Sequence, residues 1–294
     1  MRIGLPDTLL EKHYLPFWEA YLGTLELEVV KPNADFEQSL EAGSRLMPSE
    51  PATIQLFVGR VLELADIGVD AIIVPDLNPG AEPGEKAGRA DPWAVDLASV
   101  LAQRVSLPTL EAVPAYLSDS TSSLTSGIAV RLGQAWTQNT RIVQRGLDRA
   151  QLYLKAARTP EPNWNHAGRK TIGLIGEATL LEQLWLWREA KLALEAAGLQ
   201  AVLSTQLPRE RLIEAGKKRR SDLSLETDLE VVGAAITLEA KGQVHGLISL
   251  RQPNANMHAI LTDEVLRKAH KPTLGVQFDD PDLQQKLEAF ARTL

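Results

Sequence analysis

The stretch VDAIIVPDLNPGAEPGEKAGRAD, residues 69–91, decides the fold. It opens with the strand Val69 to Val74 (VDAIIV), whose apolar residues after Asp70 are of the kind found in strands covered on both faces of a parallel sheet. Residues 75–91 then hold three prolines and three glycines, a loop at the carboxyl end of that strand. Working backward, residues 52–66 and 35–46 carry helical spacing, and Leu27 to Val30 is a strand ended by Lys31-Pro32. Residues 8–22 place Leu9, Leu10, Tyr14, Phe17, Trp18 and Tyr21 at helical intervals, and Pro16 inside that run predicts a kink or a late helix start. Ile3 to Leu5 is a strand broken by Pro6-Asp7. Working forward, 92–104 is a helix and Leu107 to Ala112 a strand.

SDSTSSLTSG, residues 118–127, is a hydroxyl-rich run that reads as a polar loop with an N-cap, or as a phosphate cradle at a helix start. After it, apolar residues from Leu124 to Leu154 mark one face of a long helical region. RTPEPNWNHAGRK, 158–170, is the best linker candidate. The pattern then restarts: a strand at Thr171–Gly176, a helix over 178–197, and a strand at Leu199–Leu203. Helices over 226–241, 257–270 and 281–293 alternate with strands at Val244–Leu250 and Thr273–Val276. Strands alternating with helices predict an α/β fold of two Rossmann-like domains with mostly parallel sheets. The expected division is an N-terminal α/β domain over 1–118, a helical segment and linker over 119–170, and a C-terminal α/β domain over 171–294.

The 294 residues are 44% hydrophobic and 23% charged, which excludes a disordered or fibrous chain. A net charge of −7 gives no electrostatic help toward nucleic acid or an anionic membrane surface, so neither partner is expected. The opening MRIGLPDTLL has no signal-like apolar run, and no stretch approaches the roughly 20 apolar residues of a membrane helix. A cytoplasmic location is expected. Cysteine is absent, which rules out disulfides, thiolate nucleophiles and thiolate-held metals.

No G-x-G-x-x-G, Walker A, H-E-x-x-H or G-x-S-x-G motif occurs. Gly173 to Gly176 is at most a fragment of a phosphate loop, and Lys217 to Arg220 reads as a solvated basic loop. The histidines at 13, 166, 245, 258 and 270 show no metal-ligand spacing. Ligands in open α/β sheets collect outside the carboxyl ends of the strands. That rule nominates Pro6 and Asp7, Asp76, Gly176 and Glu177, and the polar stretch Gln252, Asn254, Asn256 and His258. The last four read either as a turn with an Asn cap or as the wall of a ligand cleft.

Three segments carry a resemblance. Ile3-Gly4-Leu5-Pro6 is followed by Pro16-Phe17-Trp18 and Tyr21; SEPATIQLFVGRVLEL, with Glu50, Gly59 and Val61, precedes VDAIIVP; and VHGLISLRQPNANMHAIL precedes LEAFARTL. In this order they resemble the 2-hydroxyacyl-CoA dehydratase superfamily, in its acyl-CoA dehydratase activase-related branch. The resemblance implies two Rossmann-like domains around an interdomain cleft, where a cluster and an acyl-CoA would sit. It places the family's cluster-binding cysteines at or next to Pro51, at or next to Asp91, and at Asn256, none of which is a cysteine here. A thiolate-held iron–sulfur cluster therefore cannot form, radical dehydratase activity is not carried over, and no cofactor is expected. The scaffold implies that Pro51, Asp91, Asn256 and His258 approach one another across the cleft.

Three functional readings stay open. The chain is a non-catalytic protein that binds a small-molecule or acyl-CoA-like ligand, or a partner, in the inherited cleft. Alternatively it is an enzyme with altered, metal-dependent chemistry around Asp91, Asn256 and His258. The third reading is a structural subunit forming a homo- or heterodimer with a homologous, cysteine-bearing chain.

Overall fold

The computed structural model describes residues 1–10, 14–79, 91–116, 119–156, 162, 164, 168–254 and 256–294, and leaves the side chains of 119–121, 154–156 and 256–258 outside that description. The loop over 80–90, most of the 158–170 connection, His13 and His166 lie outside the described residues. Its contacts divide the chain into two compact units, one drawn from residues 1–158 and the other from Thr159–Leu294.

In the first unit, strands β1 (Arg2–Gly4), β2 (Glu28–Val30), β3 (Ala71–Asp76) and β4 (Thr109–Pro114) form one parallel sheet in the order β2-β1-β3-β4. Helices α1 (Leu15–Thr24), α2 (Phe36–Leu46), α3 (Ala52–Ile67) and α4 (Pro92–Arg104) make the connections. Pro16 sits at the start of α1, so the proline produces a late start and no kink. The Asp35 carboxylate accepts from the Gln38 N–H at 2.8 Å and caps α2. Gly68, at φ 80°, ends α3 in the left-handed conformation that a side chain would resist. Helices α5 (Asp119–Trp136) and α6 (Thr140–Ala156) complete the unit: Ala129, Leu132, Val143 and Leu147 pack with Phe17, Trp18 and Tyr21 of α1.

The second unit repeats the plan. Strands β5 (Lys170–Ile175), β6 (Leu199–Leu203), β7 (Gly246–Arg251) and β8 (Thr273–Gln277) form a parallel sheet in the order β6-β5-β7-β8. The helices are α7 (Ala178–Leu181), α8 (Arg188–Ala196), α9 (Arg209–Arg219), α10 (Glu226–Glu239), α11 (Asn256–Leu266) and α12 (Leu283–Thr293). In each unit a helix pair joins the second strand to the third, and glycines bring its backbones together. Gly43 and Gly59 do this for α2 and α3, Gly216 and Gly233 for α9 and α10. Two sheets of one topology, each with strand order reversing between its first and third strands, make this a Rossmann-like α/β chain.

Three local expectations need correction. The hydroxyl-rich run is no loop, because α5 begins at Asp119 and runs through it. The Thr125 hydroxyl inside it accepts from the buried Tyr14 hydroxyl at 2.6 Å, so tertiary contact overrides the loop preference of Ser and Thr. The long helical region that follows is present, as two helices joined at 137–139. The single helix expected over 178–197 is α7 and α8 with turns between, where the Trp187 indole N–H closes onto the Leu181 carbonyl at 3.3 Å. The basic run at Lys217 is the last turn of α9, where cations meet the negative end of the helix dipole.

Candidate functional site

At the carboxyl end of β1, Pro6 is buried and Asp7 is committed to structure. The Asp7 carboxylate lies 3.2 Å from Nε of Arg60, an ionic contact outside hydrogen-bond angles. Arg60, on α3 and only 3% exposed, also donates to the Ala34 carbonyl at 2.6 Å and the Ser39 hydroxyl at 3.1 Å. Its guanidinium stands 4.5 Å over the Phe36 ring. Asp76 ends β3 and accepts the Asn78 N–H at 3.1 Å, while the Asn78 amide ties this turn to the Ala94 carbonyl of α4 at 2.8 Å. These groups brace the edge of the sheet.

Pro51 is buried at the start of α3, where its carbonyl accepts from Ile54 and Gln55. Asp91 occupies the N-cap position of α4 without capping it through its side chain. Glu50, beside Pro51, has its carboxyl pushed up first by burial and then by the Asp91 charge. The 50–51 and 91 positions thus share one electrostatic neighbourhood within the first unit. A raised folded-state value means that the stability is fully present below the ordinary glutamate range and is lost as pH rises through the raised value. Glu50→Gln is therefore expected to melt higher than the parent at pH 7. The gain should vanish below about pH 4, the unperturbed glutamate value, and melting curves across that range check it.

The second unit assembles more of the nominated residues. Gly176 lets the exit of β5 pass against β7, since a Cβ there would stand 2.9 Å from the Leu250 carbonyl. Glu177 follows, 8% exposed, and its carboxylate accepts from the Gln252 amide at 2.8 Å and the Thr179 hydroxyl at 3.4 Å. Gln252, 3% exposed, stands just past the end of β7. Glu177 and Gln252 are 75 residues apart in sequence, and they meet because β5 and β7 are neighbours where the strand order reverses. Ligands collect at such a switch point.

Beside this contact lies an open cavity of about 220 Å³, lined by Arg251, Gln252, Asn254, Gly275, Gln277 and Asp280. Asn254 holds its carboxamide on a left-handed backbone, φ 65°, which Asn tolerates better than most residues. Nε of Arg251 lies 3.3 Å from the Ser249 hydroxyl, and its Nη2 is held by the Asp263 carboxylate of α11. The guanidinium lies over Gly275, where a Cβ would sit 2.4 Å from Nη2. Asp280 is held by the Lys286 ammonium and by the Asp282 N–H at 3.0 Å, and both keep its carboxyl below the usual range. Asn256 and His258 begin α11, with side chains outside the described residues.

Sequence reading missed Arg251, Gly275, Gln277 and Asp280. The signal for the last two was present: the strand-end rule that nominated residues after β7 applies equally to the end of β8. The nominated residues fall into two sets, with Pro6, Asp7, Pro51, Asp76 and Asp91 in the first unit and the rest in the second.

The family resemblance implies a cluster, and the donor set does not fit one. Pro51, Asp91 and Asn256 offer no thiolate, and the buried Pro51 ring has no donor atom at all. Among the described residues, no group of three or more His, Asp or Glu is placed to hold a metal ion. No helix among them is long and apolar enough to cross a membrane.

No curated protein matches the chain. Residues 2–176, which run through the whole first unit and the first strand of the second, match the profile described as the CoA enzyme activase uncharacterised domain (DUF2229). The match covers more than half of the chain: the chain belongs to the CoA enzyme activase uncharacterised domain family.

Proposed function

We propose that this chain is a cluster-free, non-catalytic member of the acyl-CoA dehydratase activase-related group that binds a small polar ligand at the carboxyl edge of its C-terminal sheet. The observation that carries the reading is the buried Glu177–Gln252 contact at the switch point, from which Gln252 also lines a polar cavity at the ends of β7 and β8. The buried Glu177 carboxylate fixes the lining Gln252 amide at 2.8 Å, and preorganised polar groups in a concave site are what a small ligand needs. The absence of cysteine supports binding without the radical dehydration that a thiolate-held cluster would bring.

A melting-temperature screen of small polar metabolites tests this. A compound present at 100 times its Kd adds about 2.7 kcal/mol to the unit that binds it. That gain should disappear in Asn254→Gly, which removes a lining carboxamide and leaves the left-handed backbone unstrained. Compounds that stabilise the parent and this variant equally would place the ligand elsewhere.

A further inference from the structure

Among the described residues, each charge that lines the cavity already has its counter-charge outside the lining. Arg251 is neutralised by Asp263, and Asp280 by Lys286. Both lining side chains are partly shielded from water, Arg251 at 22% exposure and Asp280 at 14%. Among the described residues the rest of the polar lining is three carboxamides: Gln252, whose amide nitrogen is held by Glu177, and Asn254 and Gln277, each carrying an acceptor oxygen and a donor nitrogen. A charged ligand would lose hydration here without gaining an unpaired partner. An uncharged group with an N–H and a C=O on one edge would meet matched donors and acceptors.

We propose that the cavity selects an uncharged carboxamide-like edge, as in a carboxamide or a nucleobase, and that Asp263 and Lys286 set this selectivity without lining the cavity. The proposal rests on this cavity being the ligand site. Asp263 and Lys286 are positioning residues: each withdraws one lining charge from the ligand. Removing either partner changes which charge the cavity prefers, and leaves the cavity wall in place.

The test titrates the full chain with nicotinamide, with its isostere nicotinate, and with uracil, following the side-chain amide NMR signals of Asn254 and Gln277. Nicotinamide is expected to bind at least about tenfold more tightly than nicotinate, a difference of about 1.4 kcal/mol. Uracil separates the two sources of the same edge, because a site built for a nucleobase binds it more tightly than nicotinamide. In Asp263→Asn the freed Arg251 should move the nicotinamide-to-nicotinate ratio about tenfold toward nicotinate. In Lys286→Met the freed Asp280 should instead favour cationic 3-(aminomethyl)pyridine. Asp263 and Lys286 are each about half exposed, and the two variants sit on different helices, so failure of one to fold leaves the other.

Parent protein that binds nicotinate as tightly as nicotinamide overturns the proposal, as does an unchanged ratio in a folded Asp263→Asn. Failure of both neutral probes to move the two amides overturns it as well. In that last case a melting-screen ligand lost in Asn254→Gly would still uphold the site, so the two failures are distinguishable.

Discussion

Gly59→Ala is expected to destabilise the first unit by about 3 kcal/mol or more, lowering its melting temperature by roughly 6–12 °C. A Cβ on Gly59 would stand 1.8 Å from the Ser39 carbonyl oxygen and 2.4 Å from its carbon. The clashing atoms are backbone, so no rotamer change relieves them, and α2 and α3 must move apart. The second unit holds the same device, where a Cβ on Gly233 would lie 1.7 Å from the Leu212 carbonyl oxygen. Gly233→Ala should therefore cost a similar amount. Gly127, within α5, is the internal control, because a Cβ there meets nothing within 4 Å. Gly127→Ala should gain up to about 1 kcal/mol from helix propensity alone. Thermal melts of the three variants check the opposite signs; Gly59→Ala melting at or above the parent would refute the close approach.

Trp18→Ala should cost about 3–5 kcal/mol, the usual range for emptying a buried aromatic site. Trp18 is fully buried on α1 and packs edge-on against Phe17 at 5.1 Å, Tyr14 at 6.0 Å and Tyr21 at 6.1 Å. This cluster is where α5 and α6 meet α1. The indole N–H has no hydrogen-bond partner among the described residues. A buried unsatisfied donor costs about 1–3 kcal/mol, so Trp18→Phe removes that penalty along with some volume. It should lose less than half of what Trp18→Ala loses. Denaturant unfolding of the pair is the measurement, and equal losses would mean that the indole N–H is satisfied.

The strands were legible because each is a short apolar run bounded by Pro, Gly or charge, and Val69 to Val74 announces a parallel sheet without help from tertiary structure. The broken helix at 182–187 was not legible. EQLWLW contains neither Gly nor Pro, and its apolar residues continue the helical period across the break. The break becomes visible only when Trp187 is seen closing on Leu181. Helix α9 was hidden for another reason: Arg209–Arg219 offers only Leu212, Ile213 and Gly216 to the interior, too few apolar positions for a periodic signal. Of the site, the strand-end rule found Glu177 and Gln252 separately. Their partnership depends on β5 lying beside β7, which strand order alone determines. The charge balance at Arg251 and Asp280 was out of reach, since it needs Asp263 and Lys286 in three dimensions.

Native mass spectrometry of the anaerobically purified protein, alongside Asn254→Gly, is the most direct test of a cluster-free ligand site in the C-terminal unit. The expected result is a mass with no iron or sulfide, carrying a small organic adduct that the variant loses. Stoichiometric iron and sulfide, or an organic adduct that Asn254→Gly retains in full, would contradict it.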